Sequence, residues 1–222
     1  MFAKGLFLFL FGVGVFVLMQ VVLPMVSFQV WQTLYFQQDQ LLADPNPTNL
    51  TQGSIGVGGS AVLGISIENK DNFPAFVTRN YYGNNIPYAT FKISVPKIKL
   101  EPTQVNVNSN EFDQNLAHLP GTALPGERGN VFVTGHSSLS TIFDGDKKAF
   151  FANLSKIKKG DEIKLSVLGQ EYVYSVMGMK IVEPEDVSVI LPPDQEGRYL
   201  TLMTCVPPGF NTKRLIVLAK LK

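Results

Sequence analysis

The sequence predicts an all-β domain, either a closed β-barrel or a β-sandwich, preceded by one apolar helix. From Ile86 onward, short runs rich in β-branched and aromatic residues alternate with Pro, Gly and Asn, a pattern typical of strands joined by turns. Before that point, the stretch Gly5–Val30 is dominated by Leu, Phe and Val and carries no charge. With 222 residues and 45% apolar content, the chain can form one sizeable core and an appendage.

The apolar stretch Gly5–Val30 is predicted to cross a membrane. As an α-helix it would rise roughly 39 Å, which exceeds a hydrocarbon core of about 30 Å. No cleavage pattern of small residues follows it, so residues 1–36 are predicted to form a cytoplasmic tip and an uncleaved signal anchor. Lys4 is the only Lys or Arg before the stretch, and none follows until Lys70. This bias predicts a cytoplasmic N-terminus and an extracellular remainder in a single-pass protein of the cell membrane.

Residues 37–85 are rich in Asn, Gln, Gly and Ser and are predicted to form an extracellular linker or stalk, although the apolar piece Ala61–Ile67 could instead dock on the domain.

Residues 86–222 are predicted to fold as the β domain. One helix is predicted near Lys147–Ile157, where apolar residues recur at helical spacing. The predicted strands are Ala89–Ile98, Gln104–Val107, Val131–His136, Glu162–Leu168, Glu171–Val182, Tyr199–Cys205 and Arg214–Leu221.

Composition argues against several classes of function. The formal net charge is +1 and no basic block is present, so nucleic acid is not an expected partner. A single cysteine rules out an internal disulfide. The chain has no CxxC or HExxH spacing, so neither a metal nor a cofactor is expected.

The single cysteine, Cys205, ends an apolar β-rich run at a Pro-Pro-Gly turn, and Arg214 opens the next run. Such a hairpin places a thiol and a guanidinium at neighbouring strand ends. A thiol reacts as the thiolate, and a nearby cation favours that form, so the hairpin suits covalent catalysis. The alternative is a buried cysteine that only packs as a small hydrophobic residue.

A nucleophilic cysteine needs a base, and the chain has two histidines. His136 ends the predicted strand that begins at Val131, a position from which a side chain can project at the rim of a barrel. His118 is predicted to lie in a loop, without a strand to fix its position. The sequence therefore favours His136 as the base.

Three motifs in order resemble those of the sortases, which are membrane-anchored cysteine transpeptidases. They are Thr134-Gly135-His136, then Thr201-Leu202-Met203-Thr204-Cys205, and then Arg214 within Asn211-Thr212-Lys213-Arg214-Leu215. The segment from His118 to Asn130 is similar to the loop that sortases carry before the histidine strand. The resemblance covers about residues 90–222 and implies a closed eight-stranded sortase-type β-barrel with short helices.

The resemblance also implies roles for individual residues. Cys205 would be the nucleophile, His136 the proton donor and acceptor, and Arg214 the group that holds the substrate and stabilises the oxyanion. Thr204, Thr134 and His118 are the expected substrate-binding residues.

The short spacing from cysteine to arginine is most similar to pilin-type, or class C, sortases, which commonly carry a lid with an Asp-Pro-aromatic motif. Here Asp44-Pro45 is followed by Asn46, and Ser137 stands where many relatives have arginine. These departures leave the subclass open.

The function implied by the resemblance is cleavage of an LPxTG-like sorting motif near the C-terminus of exported proteins. The acyl group would pass from a Cys205 thioester to an amine of the cell envelope or of a pilin subunit. A hydrolase that uses the same cysteine, and a non-enzymatic membrane-tethered barrel that binds peptides, are the alternatives. A papain-like protease is disfavoured, because those enzymes place Cys before His in the chain.

Overall fold

The computed structural model describes residues 2–36, 65–70, 73–78, 86–137, 148–208 and 212–222. The chain divides into two units, Met1–Gln40 and Leu41–Lys222. In the first unit, helix α1 spans Phe2–Phe36 and therefore covers the predicted apolar stretch. Within the described residues, no helix meets the length and hydropathy that a membrane span requires.

A strand pair lies within the predicted linker. Strand β1 (Ile65–Lys70) pairs with β2 (Phe73–Thr78) in an antiparallel hairpin, with Ile65 opposite Thr78. This strand pair was not predicted from the sequence. The Asp44-Pro45-Asn46 segment, which was compared above with the Asp-Pro-aromatic motif of a lid, lies outside the described residues.

Eight further strands form a closed barrel, which confirms the predicted fold class. Around the barrel, the order is β10-β8-β7-β3-β4-β5-β6-β9, and β9 pairs with β10 to close it. The pairs β4–β5 and β6–β9 are parallel, and the other pairs are antiparallel. The strands are β3 (Thr90–Val95), β4 (Leu100–Asn106), β5 (Leu116–His118), β6 (Gly129–Thr134), β7 (Glu162–Val167), β8 (Gln170–Val182), β9 (Arg198–Val206) and β10 (Lys213–Leu221).

Strand β9 is buried from Tyr199 to Val206, which means that both of its faces are covered. A 3-10 helix, Val187–Ile190, supplies the cover on one face, where it packs with Phe132 of β6, Met203 of β9 and Ile216 of β10. Side chains alternate along a strand, so their neighbours in sequence point to the opposite face. The 3-10 helix therefore packs on the three strands that carry the candidate site, β6, β9 and β10.

Two local predictions are wrong. His118 ends strand β5, between β4 and β6, and does not lie in a loop.

Among the described residues of the predicted helix Lys147–Ile157, the backbone forms turns and one 3-10 helix, Leu154–Lys156. The Phe151 N–H, which would bond within such a helix, instead donates to the His136 carbonyl, and the Lys148 N–H donates to the Asp113 carbonyl. The apolar residues of the segment still enter the core, with Phe151, Leu154 and Ile157 buried.

Candidate active site

Three strand ends meet at one edge of the barrel. Strands β6 and β9 run parallel, so their C-terminal ends share an edge, and the antiparallel strand β10 begins there. Cys205 lies near the end of β9 and pairs directly with Arg214 of β10. His136 follows the last residue of β6 by two positions.

The register of β6 and β9, continued past Thr134, aligns the histidine with the cysteine. Thr134 pairs with Met203, and the Gly135 N–H donates to the Met203 carbonyl at 3.2 Å, which extends the ladder beyond β6. Continuing the same register brings His136 opposite Cys205. The fold thus brings Cys205, His136 and Arg214, which are distant in sequence, to the same edge.

Thr204 and Gly135 fix the segment that leads to His136. The Thr204 hydroxyl is buried and donates to the Gly135 carbonyl at 2.7 Å. A side chain at Gly135 would not fit, because its Cβ would lie 2.3 Å from Leu116 Cδ2 and 3.1 Å from Phe151 Cδ2. The backbone before His136 is therefore held by a hydrogen bond on one side and by close packing on the other.

The thiol of Cys205 is buried, and this decides its resting form. Burial raises the pKa of the Cys205 thiol to about 12, while the positive charge of Arg214 lowers it in part. The sequence-based interpretation of a thiolate-favouring cation has the right sign, but burial is the larger effect. At neutral pH the free site holds a neutral thiol, so a base must remove its proton when it reacts.

Arg214 is a buried guanidinium, with 1% of its surface exposed. Its Nη1 donates to the Lys213 carbonyl at 3.2 Å. Burial lowers the pKa of Arg214, whereas interactions with Cys205 and Glu185 raise it. Arginine stays charged at any physiological pH, so a positive charge faces the site from within the protein, where electrostatic interactions are strong.

His136 is held by two residues that were not predicted from the sequence. Its Nε2 lies 3.0 Å from Asp113 Oδ1, and its ring centroid lies 4.7 Å from that of Phe112, with the planes tilted by 52°. Both residues belong to the connection between β4 and β5. Nothing in the local pattern around Asp113 indicated this contact, because it depends on tertiary structure.

His118 occupies a different environment. It has no exposed surface; Nδ1 accepts from the Asn108 N–H at 3.3 Å, and Nε2 lies 3.0 Å from the Ala123 carbonyl and 2.9 Å from Thr122 Oγ1. Burial lowers the pKa of His118 to about 4, so the ring is neutral at physiological pH. Both nitrogens are occupied within the protein, and this geometry offers no support for the expected substrate contact.

The remaining predicted residues lie close to this edge. Thr134, the last residue of β6, is half-buried and pairs with Ala117 and Met203. Ser137, directly after His136, is buried, and within the described part of the chain its hydroxyl has no hydrogen-bond partner. Substrate binding by Thr134, Thr204 and His118 stays a prediction.

Comparison with known proteins agrees with the geometry of this edge. The family model for the sortase domain matches residues 86–222. The chain belongs to the sortase family. The match covers the barrel and ends with the chain, so the sortase domain contains Cys205, His136 and Arg214.

Individual sortases are similar at moderate identity. The chain is 26% identical to Sortase D of Bacillus subtilis over 132 residues, which are 58% of this chain and 61% of that protein. It is 32% identical to Sortase A of Bacillus anthracis over 131 residues, 57% of this chain and 56% of that one. The pilus-related Sortase C of Group B Streptococcus superposes with a TM-score of 0.54 at 31% identity, covering 62% of this chain and 69% of that chain. The chain thus spans about three fifths of the length of the curated sortases it matches.

Proposed function

We propose that the protein is a cysteine transpeptidase that cleaves a sorting motif in exported proteins and joins the new C-terminus to an amine. The observation that carries this proposal is the pairing of Cys205 with Arg214 across β9 and β10, with His136 at the same edge. A nucleophile, a base and a fixed positive charge are the groups that acyl transfer through a thioester needs. Membership of the sortase family supports the same reaction.

In the first half of the proposed reaction, His136 accepts the Cys205 proton as Sγ attacks the carbonyl carbon of the scissile peptide bond. Negative charge develops on the carbonyl oxygen and is stabilised by Arg214. The C–N bond then breaks, and His136 donates its proton to the departing amine. The product is a thioester between Cys205 and the N-terminal part of the substrate.

In the second half, an amine attacks the thioester carbon. His136 takes the proton that the amine loses as the C–N bond forms and returns it to sulfur as the C–S bond breaks. The reaction needs no redox step, and the enzyme ends as it began. The acceptor is proposed to be an amine of the cell envelope or of a pilin subunit, and the donor motif to be LPxTG-like.

Attachment to the cell membrane through α1 is part of the proposal. The helix Phe2–Phe36 exposes Leu6, Phe9, Phe11 and Phe16 by more than half of their surface. An enzyme held at the membrane would meet membrane-associated substrates at a raised effective concentration. If so, the full chain should stay with membranes at alkaline pH, and a chain without residues 1–36 should be released.

The test is to incubate the full chain with an LPxTG-like peptide, with and without an amine acceptor, and to identify products by mass spectrometry. Transpeptidation predicts a ligated product that depends on the amine and is absent with Cys205→Ala. Release of the free acid at the same rate with or without amine would show a hydrolase. Peptide binding without any product, unchanged in Cys205→Ala, would show a binding protein.

A further inference from the structure

The contact between His136 and Asp113 has a geometry that bears on catalysis. Nε2 of the ring and Oδ1 of the carboxylate lie 3.0 Å apart, a normal distance for a hydrogen bond. The His136 side chain is 15% exposed and that of Asp113 is 37% exposed. The pair is therefore partly shielded from water, which makes its interaction stronger than that of a surface ion pair.

The protein holds both partners through one short segment. The Lys148 N–H donates to the Asp113 carbonyl at 2.9 Å, and the Phe151 N–H donates to the His136 carbonyl at 3.0 Å. Phe112, directly before Asp113, packs its ring against the imidazole. Three points of attachment thus fix the ring and the carboxylate relative to each other.

The contact also determines which ring nitrogen carries the proton. An ionised carboxylate only accepts hydrogen bonds, so the proton between the two groups belongs to Nε2. In the neutral ring, Nδ1 is then the basic nitrogen. When Nδ1 accepts the Cys205 proton, the new positive charge lies beside a carboxylate that is already in place.

We propose that Asp113 is a positioning residue for His136, which holds the ring in the Nε2-protonated tautomer and stabilises the imidazolium formed during acyl transfer. This inference rests on the proposed function, in which His136 moves the proton. Asp113 itself does not touch the substrate. Its contribution should therefore appear in the rate of the chemical step and not in substrate binding.

The kinetic test compares Asp113→Asn with Glu111→Gln, a matched removal of a carboxylate from an exposed position in the same connection. Hydrogen bonds to charged groups typically change an equilibrium or a rate by about 10- to 100-fold, so kcat of Asp113→Asn should fall by that factor with KM nearly unchanged. Glu111→Gln should keep both constants. Asp113→Glu, which retains the carboxylate, should recover part of the loss.

A spectroscopic test does not depend on turnover. The chain has two histidines, so 15N labelling of histidine gives two imidazoles to assign, and His118 is an internal control. Wild type should show His136 as the Nε2-protonated tautomer, and Asp113→Asn should shift His136 toward a mixture while His118 is unchanged.

Loss of kcat together with the tautomer shift supports the proposal. An unchanged kcat, or an unchanged His136 tautomer in folded Asp113→Asn, overturns it. If Asp113→Asn is poorly folded, Asp113→Glu decides: a kcat no better than that of Asp113→Ala overturns a role for the carboxylate. If wild type forms no product at all, the proposed function fails, whereas the tautomer still shows whether Asp113 holds the ring.

Discussion

The two histidines of this barrel lie at or just after the ends of neighbouring strands, and their surroundings differ. His118 ends β5 and is fully buried, with both ring nitrogens bonded to its own part of the chain. His136 follows β6, is partly exposed, and meets a carboxylate at one nitrogen. The first arrangement makes the ring costly to protonate, whereas the second places the Asp113 carboxylate beside the ring. Position at a strand end does not by itself make a histidine catalytic; the groups around the ring do.

Replacing each histidine in turn tests this difference and should give the largest effect. His136→Ala should lower the rate of acyl transfer by about 10²- to 10⁴-fold, because it removes general acid–base catalysis. His118→Gln keeps an amide donor for the Ala123 carbonyl and should retain most activity per folded molecule. The measurement is the initial rate of ligation, normalised to the folded fraction from circular dichroism. A larger loss of rate in His118→Gln than in His136→Ala would reverse the assignment.

The pKa of His118 predicts a loss of stability in acid. Burial lowers this pKa from 6.5 to about 4, so the unfolded state binds the proton first as pH falls. The contribution of His118 to the free energy of unfolding should have its full value above pH 6.5 and should fall by about 3 kcal/mol as the pH approaches 4. Urea unfolding of wild type and His118→Gln between pH 7 and 4.5 measures it. If the free energy of unfolding depended on pH equally in the two proteins, the burial argument would be contradicted, because the carboxylates titrate in both.

Two threonines allow a smaller and sharper comparison. The Thr204 hydroxyl holds the Gly135 carbonyl beside His136, and the Thr122 hydroxyl donates to the Leu119 carbonyl at 2.7 Å beside His118. Thr204→Val should cost about 1–3 kcal/mol of stability, because the buried Gly135 carbonyl loses a partner. Thr122→Val should cost less from its carbonyl bond, because the Leu119 carbonyl still accepts from the backbone N–H of residue 122. Only Thr204→Val should also lower kcat. Thermal unfolding and ligation kinetics measure the two effects, and equal kcat values in both variants would remove Thr204 from the positioning of His136.

Most of the barrel was predictable because its strands are long enough to show their pattern. The seven predicted runs all correspond to observed strands, and the strand ends carrying Cys205 and Arg214 were correctly placed. Strand β5 was missed because it has only three residues, all buried, which leaves no alternation to read. The predicted helix failed for a related reason. Its apolar spacing reflects burial, but the Lys148 and Phe151 amides bond outside the segment, to the carbonyls of Asp113 and His136.

The candidate site was predictable in its residue types and not in its electrostatics. The motifs around Cys205, His136 and Arg214 point to thioester chemistry without any coordinates. The neutral resting thiol could not be predicted, because it follows from the burial of Cys205 in the folded structure. Asp113 could not be predicted either, because only the fold brings the connection between β4 and β5 against His136.

The central claim is that Cys205, His136 and Arg214 act together on one peptide. The most direct test is intact-mass analysis of the full chain after brief exposure to an LPxTG-like peptide without an amine, in wild type, His136→Ala and Arg214→Ala. We expect an acyl adduct on Cys205 in wild type that forms far more slowly in both variants. An adduct that forms equally fast in all three proteins, or is carried by a residue other than Cys205, would contradict the claim.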